Sequence, residues 1–242
     1  MSLIENILKK VVLQDAVITK KEQLTASVYK IRLQSESVKT ASFQPGYFLR
    51  LGIGIGNDDV SFKDKVRSYS VWDINQNKGY LDLAIATDSN GIGAQWAKNC
   101  KEGETVYFKW KKGNFLLNDT ADSYLMIGDL CSLSHLYILN RNLPNSKQME
   151  SIVYSKDLSD LFKDIDNSKP FDFYSLSENA ITEILNVLPK KLTKLKGNTI
   201  VYIAGDSRVC VALNHYFRVE LNWNTKQIKT KPFWNPNKKG LE

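Results

Sequence analysis

Five consecutive residues, Arg67-Ser68-Tyr69-Ser70-Val71, carry the sharpest chemical signal in the chain. An arginine pairs with a diphosphate through two parallel hydrogen bonds. On a strand, an aromatic residue two positions later lies on the same face, where it can stack on a flat ring. The hydroxyl of Ser70 adds a hydrogen-bonding group beside such a ring. The segment therefore predicts a site for a planar ligand that carries a diphosphate, with an ordinary surface strand as the alternative.

A glycine-containing segment follows from Gly91 to Ala97, in the order Gly-Ile-Gly-Ala-Gln-Trp-Ala. Glycines at a helix start leave backbone N–H groups accessible, and the helix dipole favours negative charge at the same place. Upstream, Pro45-Gly46 marks a turn into the strand that carries Arg50. Together these features predict that a diphosphate lies at the start of this helix.

The elements that position these motifs follow from hydrophobic patterning. The first half contains six short runs rich in apolar, β-branched and aromatic residues, separated by turn signals such as Lys101-Glu102-Gly103. The runs are Val11–Thr19, Ser27–Leu33, Tyr47–Ile55, Arg67–Asp73, Tyr80–Ile85 and Thr105–Lys109. Strands at this spacing predict an antiparallel barrel. Helices are predicted over Met1–Lys10, which is amphipathic, and over Gly93–Asn99.

The second half alternates strands with helices. Predicted strands are Tyr124–Ile127, Ser151–Tyr154, Phe171–Tyr174, Thr199–Ile203 and Gln227–Lys231. Predicted helices are Ser132–Asn142, Asp157–Ile165, Ala180–Leu188 and Arg208–Leu221. This alternation implies a parallel, doubly wound sheet. The fold class is therefore two-domain, with an antiparallel β-barrel over residues 1–119 and a nucleotide-binding α/β domain over residues 120–242.

Two glycine-aspartate pairs stand at strand-to-helix turns of the second domain. The first strand runs into Gly128-Asp129-Leu130-Cys131-Ser132, at the position where open α/β sheets bind anions. A later strand runs into Ala204-Gly205-Asp206 in the same way. Cys131 contacts a ligand there or, on the simpler interpretation, is a small buried residue.

In this order, the segments resemble the siderophore-interacting protein family, flavin-dependent ferric-siderophore reductases within the ferredoxin-reductase-like group. The likeness covers nearly the whole chain, including the late pair Phe233-Trp234. It implies an FAD-binding barrel followed by an NAD(P)H-binding domain. Thr87 and Ala94 stand where the family commonly has histidine and serine. The resemblance assigns FAD binding to Arg67, Ser68, Tyr69, Ser70, Thr87, Gly91, Gly93, Ala94 and Trp96.

The same resemblance assigns the other ligands. It assigns NAD(P)H binding to Gly128, Asp129, Cys131, Gly205 and Asp206. In this chain Leu130, Cys131 and Ser134 replace the family's glutamate, threonine and proline. Trp234 either flanks the flavin or fills a gap. Basic residues on the substrate side match Arg50, Lys112 and, by substitution for the family's late arginine, Lys238. A solvated surface is the alternative for these three.

Composition excludes several other classes. The chain has 242 residues, of which 43% are hydrophobic and 24% charged, and no apolar run reaches the length of a membrane span. The net charge of +7 comes from local lysine clusters without a recognisable nucleic-acid motif. Three scattered cysteines, with His135 and His215 far apart, predict no resident metal site. The histidines are expected to be ordinary helix residues.

The sequence thus predicts a cytoplasmic, monomeric reductase that passes electrons from NAD(P)H through FAD to a ferric siderophore. A flavin mediates between a two-electron donor and iron(III), so the protein needs no acid or base catalyst. We expect no nucleic-acid partner and no membrane insertion. Three alternatives stay open: ferredoxin as the electron donor, a related flavin reductase with another acceptor, and a flavin- or siderophore-binding module whose nucleotide site has decayed.

Overall fold

The computed structural model describes residues 13–53, 65–176 and 179–238. Contacts divide the chain into two compact units, of which the first ends at Leu116 and the second begins at Leu117. This division lies close to the boundary predicted after Asp119. The helix predicted over Met1–Lys10 lies outside the described residues.

The first unit is a seven-stranded antiparallel sheet. Its strands are β1 (Gln14–Thr25), β2 (Val28–Gln34), β3 (Phe48–Gly52), β4 (Val66–Ser70), β5 (Asp73–Asn75), β6 (Tyr80–Ala86) and β7 (Thr105–Lys111), in the spatial order β4-β3-β7-β1-β2-β6-β5. Only Val71 and Trp72 join the edge strands β4 and β5, so the sheet must curl until its edges approach, as in a barrel. Among the described residues of this unit, two helices accompany the sheet, α1 (Glu36–Lys39) and α2 (Ile92–Asn99).

The run predicted as one strand over Arg67–Asp73 forms two strands. Val71 and Trp72 between them are buried, and the Trp72 N–H donates to the Asp82 carbonyl oxygen at 2.8 Å. These two residues thus turn the chain from β4 to β5 and place apolar side chains in the core at the turn. The apolar character of Val71 and Trp72 therefore reflects burial at this corner and not a continuous strand.

The second unit is a five-stranded sheet in which every ladder is parallel. Its strands are β8 (Ser123–Asp129), β9 (Gln148–Ser155), β10 (Phe173–Ser175), β11 (Thr199–Asp206) and β12 (Ile228–Trp234), in the order β10-β9-β8-β11-β12. The helices are α3 (Leu133–Arg141), α4 (Ala180–Leu192) and α5 (Ser207–His215). The strand order reverses between β8 and β11, as in the predicted doubly wound sheet.

The helix predicted over Asp157–Ile165 is wrong. Only one 3₁₀ turn forms there, Leu158–Asp160, whose cap is the Asp157 carboxylate accepting the Ser159 N–H at 2.8 Å. After it the chain is extended and buries Leu161 and Phe162. The apolar spacing therefore reflects burial of an extended segment and not a helical face.

The last predicted helix is shorter than expected and changes type. The α-helix α5 ends at His215, and Tyr216–Glu220 continues as a π-helical turn in which the Leu221 N–H donates to the Tyr216 carbonyl oxygen. His135 and His215 lie in α3 and α5, as predicted, with His135 buried against the Phe233 ring.

Candidate functional site

Strand β4 presents Arg67 and Tyr69 on one face. In the β3–β4 ladder, Arg67 lies opposite Leu51 and Tyr69 opposite Leu49, and both leucines are fully buried. Directly opposed residues of an antiparallel pair share a face. The arginine and the aromatic ring are therefore on the same side of the strand, as the motif predicts. One guanidinium N–H of Arg67 donates to the Val66 carbonyl oxygen at 2.7 Å, which holds the group beside its own strand.

The start of α2 packs against this face. A Cβ added to Gly93 would lie 2.5 Å from the Tyr69 Oη and 3.7 Å from the Arg67 Cγ. The Tyr69 ring also lies beside the Trp96 ring, with centroids 6.2 Å apart and planes inclined by 31°. The structure thus brings together four of the predicted FAD-binding residues, and the close approach explains why position 93 is a glycine.

The N-terminus of α2 is suited to an anion. Gly91 is the N-cap and supplies no side chain, and the first turn contains no acidic residue. The first bond of the helix runs from the Gln95 N–H to the Gly91 carbonyl oxygen at 3.0 Å. The N–H groups of Ile92, Gly93 and Ala94 consequently have no acceptor within the helix. With the helix dipole and the neighbouring Arg67, this end of α2 fits a diphosphate.

The remaining residues predicted to bind FAD differ in the hydrogen-bonding groups that they have available for a ligand. The Thr87 hydroxyl is buried and donates to the Ser27 carbonyl oxygen at 3.0 Å, so it is used within the fold. Ala94 is buried and offers its backbone N–H alone. Ser70 is buried at the end of β4 and Ser68 is half-buried. The two serines share one face of the strand, which is the face opposite to that of Arg67 and Tyr69.

A row of cations lies on the opposite face of β3. Arg50 stands opposite Ser68 in the β3–β4 ladder and opposite Lys109 in the β3–β7 ladder, and Lys111 is two residues further along β7. Like charges placed directly opposite repel each other, so this row attracts anions. We name Arg50, Lys109 and Lys111 the cationic row. The sequence interpretation missed both lysines, although their alternation with buried Val106 and Phe108 was the signal that could have found them.

The other two predicted substrate-side cations are not in these strand ladders. Lys112 is exposed one residue beyond β7. Lys238 is exposed in the second unit, where its N–H donates to the Asn235 carbonyl oxygen at 3.2 Å in a tight turn.

In the second unit, Asp129 is the centre of a buried hydrogen-bond cluster at the end of β8. Its Oδ1 accepts the Ser132 N–H at 3.2 Å. Its Oδ2 accepts the Asp206 N–H at 2.8 Å and the indole N–H of Trp234 at 2.7 Å. Burial raises the pKa of Asp129 to about 6, and the three hydrogen bonds oppose that rise. We name Asp129 with these three donor residues the Asp129 cluster.

Both glycines of the predicted nucleotide motifs make room for this cluster. Gly205 has a φ of +115°, a conformation that favours glycine, and a Cβ there would collide with the Asp129 carboxylate. A Cβ on Gly128 would collide with the Ser132 Oγ. The Asp206 carboxylate accepts the Arg208 N–H at 2.8 Å and pairs with its guanidinium at 2.6 Å, which caps α5.

The structure decides between the interpretations left open for Cys131. This residue is exposed in the 3₁₀ turn Leu130–Ser132 between β8 and α3, so the interpretation as a small buried residue is wrong. Cys100 and Cys210, by contrast, are buried.

Two further features are absent from the described residues. Across 13–53, 65–176 and 179–238, no three or more His, Cys, Asp and Glu side chains are grouped as metal ligands. Within the same ranges, no helix combines the length and the apolar character that a membrane crossing requires.

Comparisons with known families match the two units separately. Residues 15–116 match the oxidoreductase FAD-binding domain, and residues 121–237 match the siderophore-interacting protein model. The NADH-cytochrome b5 reductase 1 of Debaryomyces hansenii is 31% identical over 115 residues. That match covers 44% of this chain and 40% of the relative, so the chain spans less than half the length of the relative's sequence.

Solved structures of similar fold match nearly the whole chain. The siderophore-interacting protein of Acinetobacter baumannii is 14% identical, with a TM-score of 0.77 over 93% of this chain and 91% of its own. SipS of Aeromonas hydrophila is 15% identical, with a TM-score of 0.75 over 93% and 92%. These matches confirm the predicted two-domain fold.

Proposed function

Because the chain belongs to the siderophore-interacting, ferredoxin-reductase-like family, we propose that it reduces ferric siderophores with electrons passed from NAD(P)H through FAD. Its first unit is an FAD-binding domain of the oxidoreductase type. The observation that carries the proposal is the start of α2, where N–H groups without a helical acceptor stand beside Arg67 and Tyr69.

Different residues of β4 and α2 would hold different parts of FAD. Arg67 and the N–H groups of Ile92, Gly93 and Ala94 would hold the diphosphate. Tyr69 and Trp96 would pack on the isoalloxazine, with Ser68 and Ser70 as hydrogen-bonding groups. Gly91 would leave the helix start open, and Thr87 would position the end of β6 through its bond to Ser27. When bound, FAD supplies the exchange between two-electron and one-electron chemistry.

The proposed NAD(P)H site lies at the carboxyl ends of β8 and β11, where the strand order reverses. Gly128 and Gly205 allow the two turns to pack on the Asp129 carboxylate, and Cys131 is exposed in the first turn. Asp129 and Asp206 are held by internal partners, so they would orient these turns rather than move protons.

The cationic row supplies the substrate side of the proposal. Ferric siderophores with catecholate or carboxylate ligands are anionic, and a row of positive charge raises their local concentration and the rate of encounter. Arg50 stands directly opposite Ser68 of the flavin motif, so Arg50 of the row lies on the same pair of strands as Arg67 and Tyr69 but on the other face. Lys112, one residue beyond β7, and Lys238 are further candidate cations.

One observation favours a second function. In the Asp129 cluster, a carboxylate of the protein already accepts the N–H groups of Ser132 and Asp206 at the turns where a nucleotide phosphate would bind. In a flavin-binding module with a decayed nucleotide site, we would also expect a carboxylate of the protein to occupy the N–H groups that a phosphate would use.

An acceptor comparison tests the proposal. The FAD-loaded chain is supplied with NADH or NADPH, and ferric catecholate, ferric carboxylate, free flavin and cytochrome acceptors are compared by kcat/KM. We expect the ferric chelates to be preferred and iron(II) to be released. Preference for free flavin or a cytochrome contradicts the proposed acceptor, and turnover with neither nucleotide supports the binding-module alternative.

A further inference from the structure

Trp234 connects the end of the edge strand β12 to the turn that follows β8. β11 lies between these two strands, and Asp206 of β11 pairs with Trp234 after a register shift between Gly205 and Asp206. The indole N–H nevertheless reaches the Asp129 Oδ2 at 2.7 Å, across 105 positions of sequence. Gly205 permits this contact because a Cβ there would occupy the space of the Asp129 carboxylate. The side chain therefore spans the carboxyl end of β11.

One carboxylate consequently ties together three strand ends. Ser132 donates from the turn after β8, Asp206 from the end of β11, and Trp234 from the end of β12. A buried charge depends on every donor that faces it, since water cannot replace a lost one. Loss of one donor should therefore disturb the conformation of all three strand ends.

We infer that Trp234 is a positioning residue of the nucleotide site, which holds the Asp129 carboxylate so that the turns after β8 and β11 keep the conformation that NAD(P)H binds. The inference rests on the proposed function, which places the nucleotide at these turns. It gives Trp234 a role different from flanking the flavin or filling a gap. Trp234 is 37% exposed, and its indole N–H is nevertheless directed at the buried Asp129 carboxylate.

The surroundings of Asp129 make its charge sensitive to this donor. Asp206 and its partner Arg208 face it from the turn between β11 and α5. Tyr154 of β9 and Cys210 of α5 are titratable groups that interact with Asp129, and burial raises the pKa of each. Burial is the main cause that raises the pKa of Asp129 to about 6, and the Trp234 hydrogen bond lowers it. Removal of the indole N–H should therefore raise this pKa further.

The first test observes the contact without any nucleotide. The indole resonances of the full-length, FAD-supplemented chain are followed from pH 5 to 8 after ¹⁵N-tryptophan labelling, and the Trp234 signal is identified by its loss in Trp234→Phe. We expect it to titrate with a midpoint near pH 6 and to stop titrating in Asp129→Asn. A Trp234 signal that does not change over this range overturns the inference.

The second test links the contact to the nucleotide. Dissociation constants for NAD⁺ and NADP⁺ are measured over the same pH range for the wild type, Trp234→Phe and the matched control Trp223→Phe in the same unit. We expect Trp234→Phe to weaken binding about tenfold at neutral pH, as for a lost bond to a charged group. We also expect the pH at which affinity falls to move upward. Titration of the ligand's own phosphate is common to all three proteins and cancels in their ratio.

The outcomes separate this inference from the proposed function. Affinity unchanged in Trp234→Phe, or weakened by one constant factor at every pH, overturns the positioning role. Failure of the wild type to bind either nucleotide overturns the proposed function and with it the inference. Equal losses in Trp223→Phe and Trp234→Phe assign the effect to general destabilisation and also overturn it.

Discussion

Gly93 at the start of α2 packs directly against the hydroxyl of Tyr69 on β4, so that a methyl group on the glycine would lie 2.5 Å from the Tyr69 Oη. This contact sets the distance between the helix end that would bind the diphosphate and the ring that would stack on the flavin. Two motifs separated in sequence are thereby one structural unit.

Gly93→Ala should disturb that unit. The added methyl forces the Tyr69 side chain or the start of α2 to shift, and overpacking of this kind costs about 1–3 kcal/mol. We expect the FAD dissociation constant to rise about tenfold or more, measured by flavin fluorescence quenching. Gln95→Ala is the matched control, because Gln95 is an exposed residue of the same helix and has no assigned role in FAD binding. Equal effects of the two substitutions would contradict the proposed geometry.

Arg67→Lys should weaken FAD binding although the charge is kept. Lysine cannot offer the planar pair of N–H donors that a diphosphate accepts from arginine. We expect the FAD dissociation constant to rise about tenfold, with Arg218→Lys on the exposed end of the last helix as the control. Affinity equal to wild type would show that Arg67 does not bind the diphosphate.

Neutralising the cationic row should act on the substrate alone. In Arg50→Gln with Lys109→Gln, we expect the KM for anionic ferric chelates to rise about three- to tenfold at low salt. The effect should shrink as salt screens the charges, and FAD content should stay at the wild-type level. The control is Lys101→Gln, an exposed lysine in the turn before β7. The same KM in the double variant and the control at low salt would rule out a substrate role for the row.

Asp129 should impose a recognisable pH dependence on stability. Because its pKa is raised in the folded state, the folded chain holds this proton more tightly than the unfolded chain between about pH 4 and 6. Stability contributed by this group is therefore present at acid pH and is lost as pH rises through 6, by roughly 3 kcal/mol. Denaturant unfolding of wild type and Asp129→Asn across pH 4.5–7.5 measures it. We expect the difference in free energy of unfolding to change with pH in this window, and parallel profiles would contradict the assignment.

Local patterns predicted the strands well where alternation and burial coincide. In β3, half-buried Phe48 and Arg50 alternate with fully buried Leu49 and Leu51, and the strand was predicted from that alternation. Patterning failed where burial occurs without regular structure, as at Leu161, which is buried in extended chain after a single 3₁₀ turn.

The candidate sites were predictable as motifs and not as contacts. Arg67 and Tyr69 share a face because strand geometry requires it, so their relationship could be read from spacing alone. The contact between Asp129 and Trp234 crosses 105 positions and depends on the conformation of Gly205, which no local pattern encodes. Lys109 was missed because its pairing with Arg50 is fixed by the register of two distant strands.

We propose that electrons pass from a pyridine nucleotide to a flavin held by Arg67 and the start of α2. The most direct measurement is the visible absorbance spectrum of the FAD-loaded chain under anaerobic conditions, before and after NADH and then NADPH. We expect the flavin bands to bleach with one nucleotide and to return when a ferric siderophore is added. A chain that retains no flavin after supplementation with FAD, or flavin bands that persist with both nucleotides, would contradict the account.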